Sequence, residues 1–241
     1  MSNTSTASWR TQVKQLTGEL FDFIFPPVCA NCGKIGTLLC TDCIARMPAL
    51  QEPVCPLCGR PVNRLGLRCQ WCQTYPPPLN QIRAAVLFEG TVPNIIHQLK
   101  YNGMFALAEP LAELMASSWD RWRQPVDTVI PIPLHPQREK SRGYNQSELL
   151  SRHLGRALDL PQERHALKRV RNTPPQIELS AEERAVNVTD AFVAVPHTVK
   201  GRKILLIDDV CTTGSTLSEA AKALLEAGAA GVSGYCVARA V

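Results

Sequence analysis

The chain has 241 residues, 45% of them hydrophobic, with a mean hydropathy of −0.08 and a formal net charge of +5, the balance of one large globular domain plus a small one. It has no run of 18 apolar residues, which argues against a transmembrane helix and leads to the expectation of no membrane insertion. The opening MSNTSTASWR lacks the apolar core of a signal peptide, and FDFIFPP is too short to supply one, so a cytoplasmic location is expected.

The first predicted element is a helix over residues 9–25, where Trp9, Val13, Leu16, Leu20 and Ile24 recur at helical spacing. Arg10 and Lys14 are balanced by Glu19 and Asp22, so residues 1–25 are read as a helix docked on the protein's own body, with lipid contact as the alternative.

Residues 26–78 hold eight of the ten cysteines, as the Cys-x-x-Cys pairs Cys29/Cys32, Cys40/Cys43, Cys55/Cys58 and Cys69/Cys72. In a reducing compartment such pairs read as metal ligands, with redox activity the minor alternative. Eight thiolates make two structural zinc sites; a site closed by four sulfurs has no open position for catalysis. Sequential pairing of the knuckles gives two small ribbons, and a cross-braced pairing satisfies the same spacing. A segment this poor in large apolar residues needs the metal to fold, and structural zinc contributes about 10–16 kcal/mol per site. With eight thiolates and two zinc ions counted, the net charge falls from +5 to about +1, so a whole-chain basic argument for nucleic-acid binding fails.

TYPPPLN, residues 74–80, is a stiff proline linker and the expected boundary before a domain spanning 79–241. There the pattern alternates. IRAAVLFEG, VDTVIPIPL, KILLID and GVSGYCVAR read as strands. PNIIHQLKY, FALAEPLAELMASSWDRW, SELLSRHLGRAL and STLSEAAKALLEAGA read as helices, with Pro110 expected to kink or break the second. Strands alternating with helices predict an α/β fold with a largely parallel sheet and flanking helices.

ILLIDDVCTTGST, residues 204–216, carries the chemistry. An apolar run ends in Asp208 and Asp209, then a small-residue turn feeds a helix for which Thr216 and Glu219 form a candidate capping box. Backbone N–H groups at such a turn suit a phosphate, and adjacent carboxylates suit a vicinal diol. A Walker reading lacks any G-x-x-x-x-G-K-[ST], and a dinucleotide reading lacks G-x-G-x-x-G.

This stretch resembles the PRPP-binding motif of type I phosphoribosyltransferases. The resemblance implies that Asp208 and Asp209 hold the ribose hydroxyls. It places Cys211, Thr212, Thr213, Gly214, Ser215 and Thr216 around the 5′-phosphate. FPPVCANCG, the further cysteine pairs, LKYNG, PIPLHPQREKSRGYNQSELL and RNTPPQIELSAEERAVNVTDAF extend the likeness over nearly the whole chain, to the ComF/GntX family. That family combines an amino-terminal zinc module with a phosphoribosyltransferase-like domain, and it is associated with natural competence and the use of external DNA. The resemblance implies a PRPP-dependent pentosyltransferase working with Mg²⁺, with Arg142 on the departing pyrophosphate and Arg138 and Lys140 beside it. Lys100 and Tyr101 are further PRPP candidates, with helix capping as their alternative role. Residues 169–192, with Arg171, Thr173, Gln176, Arg184 and Asn187, resemble the hood that closes over PRPP.

The competing reading is a non-catalytic accessory protein that senses PRPP or handles single-stranded DNA, or docks on a DNA-processing protein. Residues 135–171 carry nine Lys/Arg against four Asp/Glu; this is a solvated face, or a lining for nucleic acid.

Overall fold

A computed structural model describes residues 26–172 and 189–241. The helix expected at 9–25 lies outside the described residues, as do Thr173, Gln176, Arg184 and Asn187 of the hood segment.

Four strands build the main sheet: β1 (Ile82–Leu87), β2 (Thr128–Pro131), β5 (Lys203–Cys211) and β6 (Gly231–Arg239). Their order is β1-β6-β5-β2 and every pairing is parallel. The two central strands are nearly continuous apolar runs. Ile204–Ile207 and all nine residues of β6 are buried, as expected of strands covered on both faces. Two helices, α4 (Ala108–Trp122) and α6 (Gln146–Ala157), pack together over one face, where Trp119 lies 5.3 Å from Tyr235. The opposite face takes α8 (Ser215–Glu226), whose Leu217 fits against Gly234. A separate antiparallel ribbon joins β3 (Leu167–Arg169) to β4 (Phe192–Ala194), flanking the undescribed residues 173–188. The short α7 (Pro196–Val199) leads from β4 into β5.

Pro110 neither kinks nor breaks a helix. Phe105–Leu107 forms a 3₁₀ turn and α4 starts at Ala108, so the proline falls in the first helical turn, where its missing N–H costs no bond.

The cysteine segment contains two short helices, α1 (Thr41–Ala45) and α2 (Gln70–Thr74), each started by a cysteine. Its sulfurs gather as Cys29, Cys32, Cys40 and Cys43, and as Cys55, Cys58, Cys69 and Cys72, all within 4.8 Å of one another in each group. The sequential pairing is therefore the one the chain adopts. Tetrahedral zinc with Zn–S near 2.3 Å requires sulfurs about 3.8 Å apart. The observed Cys32–Cys40 and Cys58–Cys69 separations of 3.6 and 3.5 Å fit such an ion.

The ribbons are built into the sheet. Between them, Pro48–Leu50 runs antiparallel to β1, with Leu50 N–H donating to Ala85 O at 3.1 Å and Leu87 N–H to Pro48 O at 2.7 Å. That pairing covers what would otherwise be an open sheet edge. The second ribbon docks on the start of β1, where Ile82 N–H donates to Leu57 O at 2.7 Å. Gly59 has φ +70°, and a Cβ there would sit 2.6 Å from Ile82 O. Gly59→Ala is expected to destabilise the protein by about 2–4 kcal/mol, because a positive φ and a backbone clash add. Gly66→Ala in the same ribbon, at φ +75° with open space around it, should cost only about 1 kcal/mol. Urea unfolding of the two variants measures the difference.

Candidate functional site

The site lies at the carboxyl ends of β2 and β5. Asp208 and Asp209 do not terminate their strand; β5 continues through Cys211, so both acids are held by sheet backbone. Asp209 is 3% exposed, and its Oδ2 meets Lys100 Nζ at 2.9 Å. Lys100 comes from the last turn of α3 (Val92–Tyr101), the helix after β1. Burial alone would lower the Lys100 pKa, but Asp209 and then Asp208 raise it above its ordinary value. Asp208 Oδ1 accepts Ser147 Oγ and Asp209 N–H, both at 2.9 Å. Burial, and after it the charge of Asp209, push the Asp208 carboxyl up to about 7 in spite of Lys100 and Ser147.

The turn after β5 is shaped by Gly214, at φ +88°, which caps α8. A Cβ there would stand 3.2 Å from Ile82 Cδ1. Thr213 Oγ1 and Ser215 Oγ are 2.7 Å apart, and Ser215 N–H donates to Thr213 Oγ1 at 3.3 Å. The expected Thr216–Glu219 capping box is not the start of the helix. Thr216 is already inside α8, and Glu219 Oε1 accepts Asp190 N–H at 2.7 Å, tying the chain just beyond residue 188 to this helix. Cys211 is buried at the strand end. A hydrogen bond with the Cys236 thiol lowers its pKa to about 7 against burial, helped by Arg239 and Arg60.

After β2 the chain forms α5 (Pro136–Arg142), and Asn145 fastens it to the sheet. Asn145 Nδ2 donates to Ile132 O at 3.0 Å, while its Oδ1 caps α6 by accepting Ser147 N–H at 3.0 Å. Arg142 lies over the Tyr101 ring, 5.1 Å from its centroid, and donates to Gln146 Oε1. The Tyr144 hydroxyl donates to Leu99 O, closing this segment against α3. Arg138 is half-buried on α5, with its pKa lowered by burial and by Arg142. The structure thus brings Lys100 onto the acids and groups Tyr101, Arg138 and Arg142 with one another, whereas Lys140 is exposed on α5.

Two residues of this neighbourhood escaped the sequence reading. Ser147 opens α6 and binds Asp208; its signal was the Asn145–Ser147 cap in the GYNQS run. Arg169, buried at the end of β3, has its pKa lowered by burial and by Arg138, and raised by Asp208. It belonged to the basic stretch and opened the hood-like segment 169–192, but was not singled out in either. Asn172 Nδ2 donates to Gln137 Oε1 at 2.6 Å and holds the β3 end against α5.

Comparison with known proteins agrees with this architecture. Residues 20–73 match the double zinc ribbon domain and residues 145–240 the phosphoribosyl transferase domain. DNA utilization protein YhgH of Escherichia coli K12 is 34% identical over 207 residues, 83% of this chain and 90% of that protein. Competence protein F of Haemophilus influenzae is 32% identical over 210 residues, 84% of this chain and 90% of its own length. Competence protein ComFC of Bacillus subtilis is 30% identical over 209 residues, covering 83% and 84%. The chain belongs to the ComF/GntX family, with two four-cysteine zinc-binding sites and a domain of the phosphoribosyltransferase type. Among the described residues, no helix is long and apolar enough to cross a membrane.

The raised Asp208 pKa has a consequence for stability. The folded protein binds the proton up to about pH 7, whereas an unfolded aspartate releases it near 3.9. Stability must therefore fall as pH rises from about 4 to about 7 and level off above that range. Asp208→Asn should remove this slope. Relative to wild type it should gain on the order of 2–3 kcal/mol between pH 5 and pH 8, read by urea unfolding at the two pH values. An unchanged slope would show that Asp208 titrates normally.

Proposed function

We propose that this protein binds PRPP with Mg²⁺ and transfers or hydrolyses its phosphoribosyl group, in the service of using or processing external DNA. The observation that carries the reading is the meeting, at the carboxyl end of a parallel sheet, of Asp208–Asp209 with a glycine-capped turn at the N-terminus of α8. The family names, DNA utilization and competence, support the setting.

In this reading the Asp208 and Asp209 carboxylates accept hydrogen bonds from the ribose 2′- and 3′-hydroxyls. The Thr212–Thr216 turn presents backbone N–H groups, hydroxyls and the positive helix end to the 5′-phosphate. Arg142 and Arg138 face the pyrophosphate and stabilise the charge it gains as the anomeric bond breaks. Lys100, in contact with Asp209, offsets part of the repulsion between the two acids, although Asp208 still keeps its proton up to about pH 7. The Lys100 contact with Asp209 favours a magnesium ion held mainly by substrate oxygens over an all-protein cage. When bound, Mg²⁺ would neutralise the leaving pyrophosphate.

Pyrophosphate release from Mg-PRPP, screened against nucleobases, amines, nucleotides and DNA ends, tests the reading. The double substitution Asp208→Ala/Asp209→Ala should abolish release. Arg142→Ala should slow it by roughly 10- to 1000-fold, as for loss of one group stabilising developing charge. PRPP binding without release under every acceptor would instead support a sensing role for the same pocket.

A further inference from the structure

The second ribbon and the turn after β5 share one buried cation. Arg239, the last residue of β6, is 1% exposed and reaches both. Its Nε donates to Cys58 O at 3.0 Å, and its Nη1 donates to Cys211 O at 2.7 Å, to Ala240 O at 2.8 Å and to Thr212 O. Cys58 is a ligand of the second four-cysteine group. Cys211 and Thr212 begin the glycine-capped turn. A second arginine, Arg83, is buried on the same knuckle, donating to Pro56 O at 3.1 Å. Between them, Ile82 N–H takes Leu57 O. Three successive carbonyls of the Cys55–Cys58 knuckle are thus held by the main domain.

Charge explains why zinc matters to this joint. Among the described residues, neither Arg83 nor Arg239 has a carboxylate within 4.0 Å. Four thiolates and one Zn²⁺ carry a net charge of about −2, which matches two guanidinium groups. Without the ion the four sulfurs are no longer held as one anionic cluster, so both arginines lose a fixed counter-charge and the knuckle loses its shape. Buried charges resist such a loss strongly.

We propose that Arg239 is a positioning residue through which zinc occupancy of the second four-cysteine site sets the conformation of the Thr212–Thr216 turn. The structural linkage stands on the contacts of Arg239; its consequence for ligand affinity rests on the PRPP reading of that turn. Because coupling between two sites is reciprocal, PRPP bound at the turn must in turn tighten the second zinc. A side chain that merely filled space would give no such exchange between metal and ligand.

The test uses the full-length protein loaded with two zinc ions. In equilibrium competition with a colorimetric zinc chelator, saturating Mg-PRPP should tighten one zinc by about tenfold and leave the other unchanged, the size of a modest coupling. Hydrogen exchange of the Thr212–Thr216 amides supplies a readout that needs no ligand. Arg239→Lys, which keeps the charge but cannot span the carbonyls, should retain both zinc ions and speed this exchange about tenfold, the loss of one charged hydrogen bond. Cys69→Ser, which removes a ligand of the second zinc, should speed this exchange likewise, and Cys32→Ser in the first site should not. Protection that persists in either Arg239→Lys or Cys69→Ser, or loosening matched by Cys32→Ser, overturns the linkage. Failure of wild-type protein to bind Mg-PRPP would sink the PRPP reading alone, with the exchange data still deciding the role of Arg239.

Discussion

Two carboxylates on consecutive residues of a buried strand are an expensive arrangement, and the rest of the site is organised around relieving it. Burial and, after it, repulsion from Asp209 make Asp208 hold its proton to about pH 7. Relief comes from three elements that are far apart in sequence. Lys100 arrives from the helix after β1, Ser147 from the start of α6, and the Asp209 backbone N–H from β5 itself. An ordinary helix–strand junction does not gather such partners. A pair kept at the edge of ionisation is suited to a ligand that brings hydroxyl donors or a cation, because either completes the compensation.

The same logic extends to the zinc module. Two ribbons with few apolar residues could have hung from the main domain as a separate bead, but both are built into it. Cys29, Cys40 and Cys43 share one apolar cluster with the central strands, and Pro48–Leu50 closes the free edge of β1. The second ribbon keeps its own small cluster, with Leu57, Val62 and Trp71 around the sulfurs. Val54 reaches the main apolar cluster, but the ribbon otherwise meets the sheet through hydrogen bonds and charge. This difference in how the two ribbons attach separates their consequences: the first contributes to the core, while the second bears on Arg239 and the turn after β5.

Much of this was legible in the residues. The four strands of the sheet and its main helices follow from apolar runs and helical periodicity, and the ribbons from Cys-x-x-Cys spacing. Asp208–Asp209 announced themselves because nothing in a plain strand–turn–helix calls for adjacent acids. The misreadings have local causes. Pro110 looks like a breaker until the 3₁₀ turn before it moves the helix start to Ala108. Thr216 and Glu219 have capping-box spacing, but Gly214 had already turned the chain, and Glu219 was drawn to Asp190. Ser147 and Arg169 were missed for a different reason. Their partners are set by tertiary packing, and neither residue type nor spacing reports which buried acid a serine will meet.

Arg239 shows where sequence reading meets its limit most clearly. In GVSGYCVAR nothing in the residue pattern singles it out from the end of an apolar strand. Its neighbours give it its role. A strand in the centre of a sheet, bounded by β1 and β5, has no solvent at its end once a ribbon covers it, so the guanidinium must find acceptors inside. Backbone carbonyls supply the hydrogen bonds, but carbonyls carry no net charge, and the balancing charge has to come from sulfur. The second zinc site thus does for Arg239 what Lys100 does for the acid pair: each buried charge in this end of the molecule is tolerated because another element, distant in sequence, stands opposite it. Fold, metal and site are for that reason not separable layers here, and disturbance of any one charge is expected to travel to the turn at Gly214.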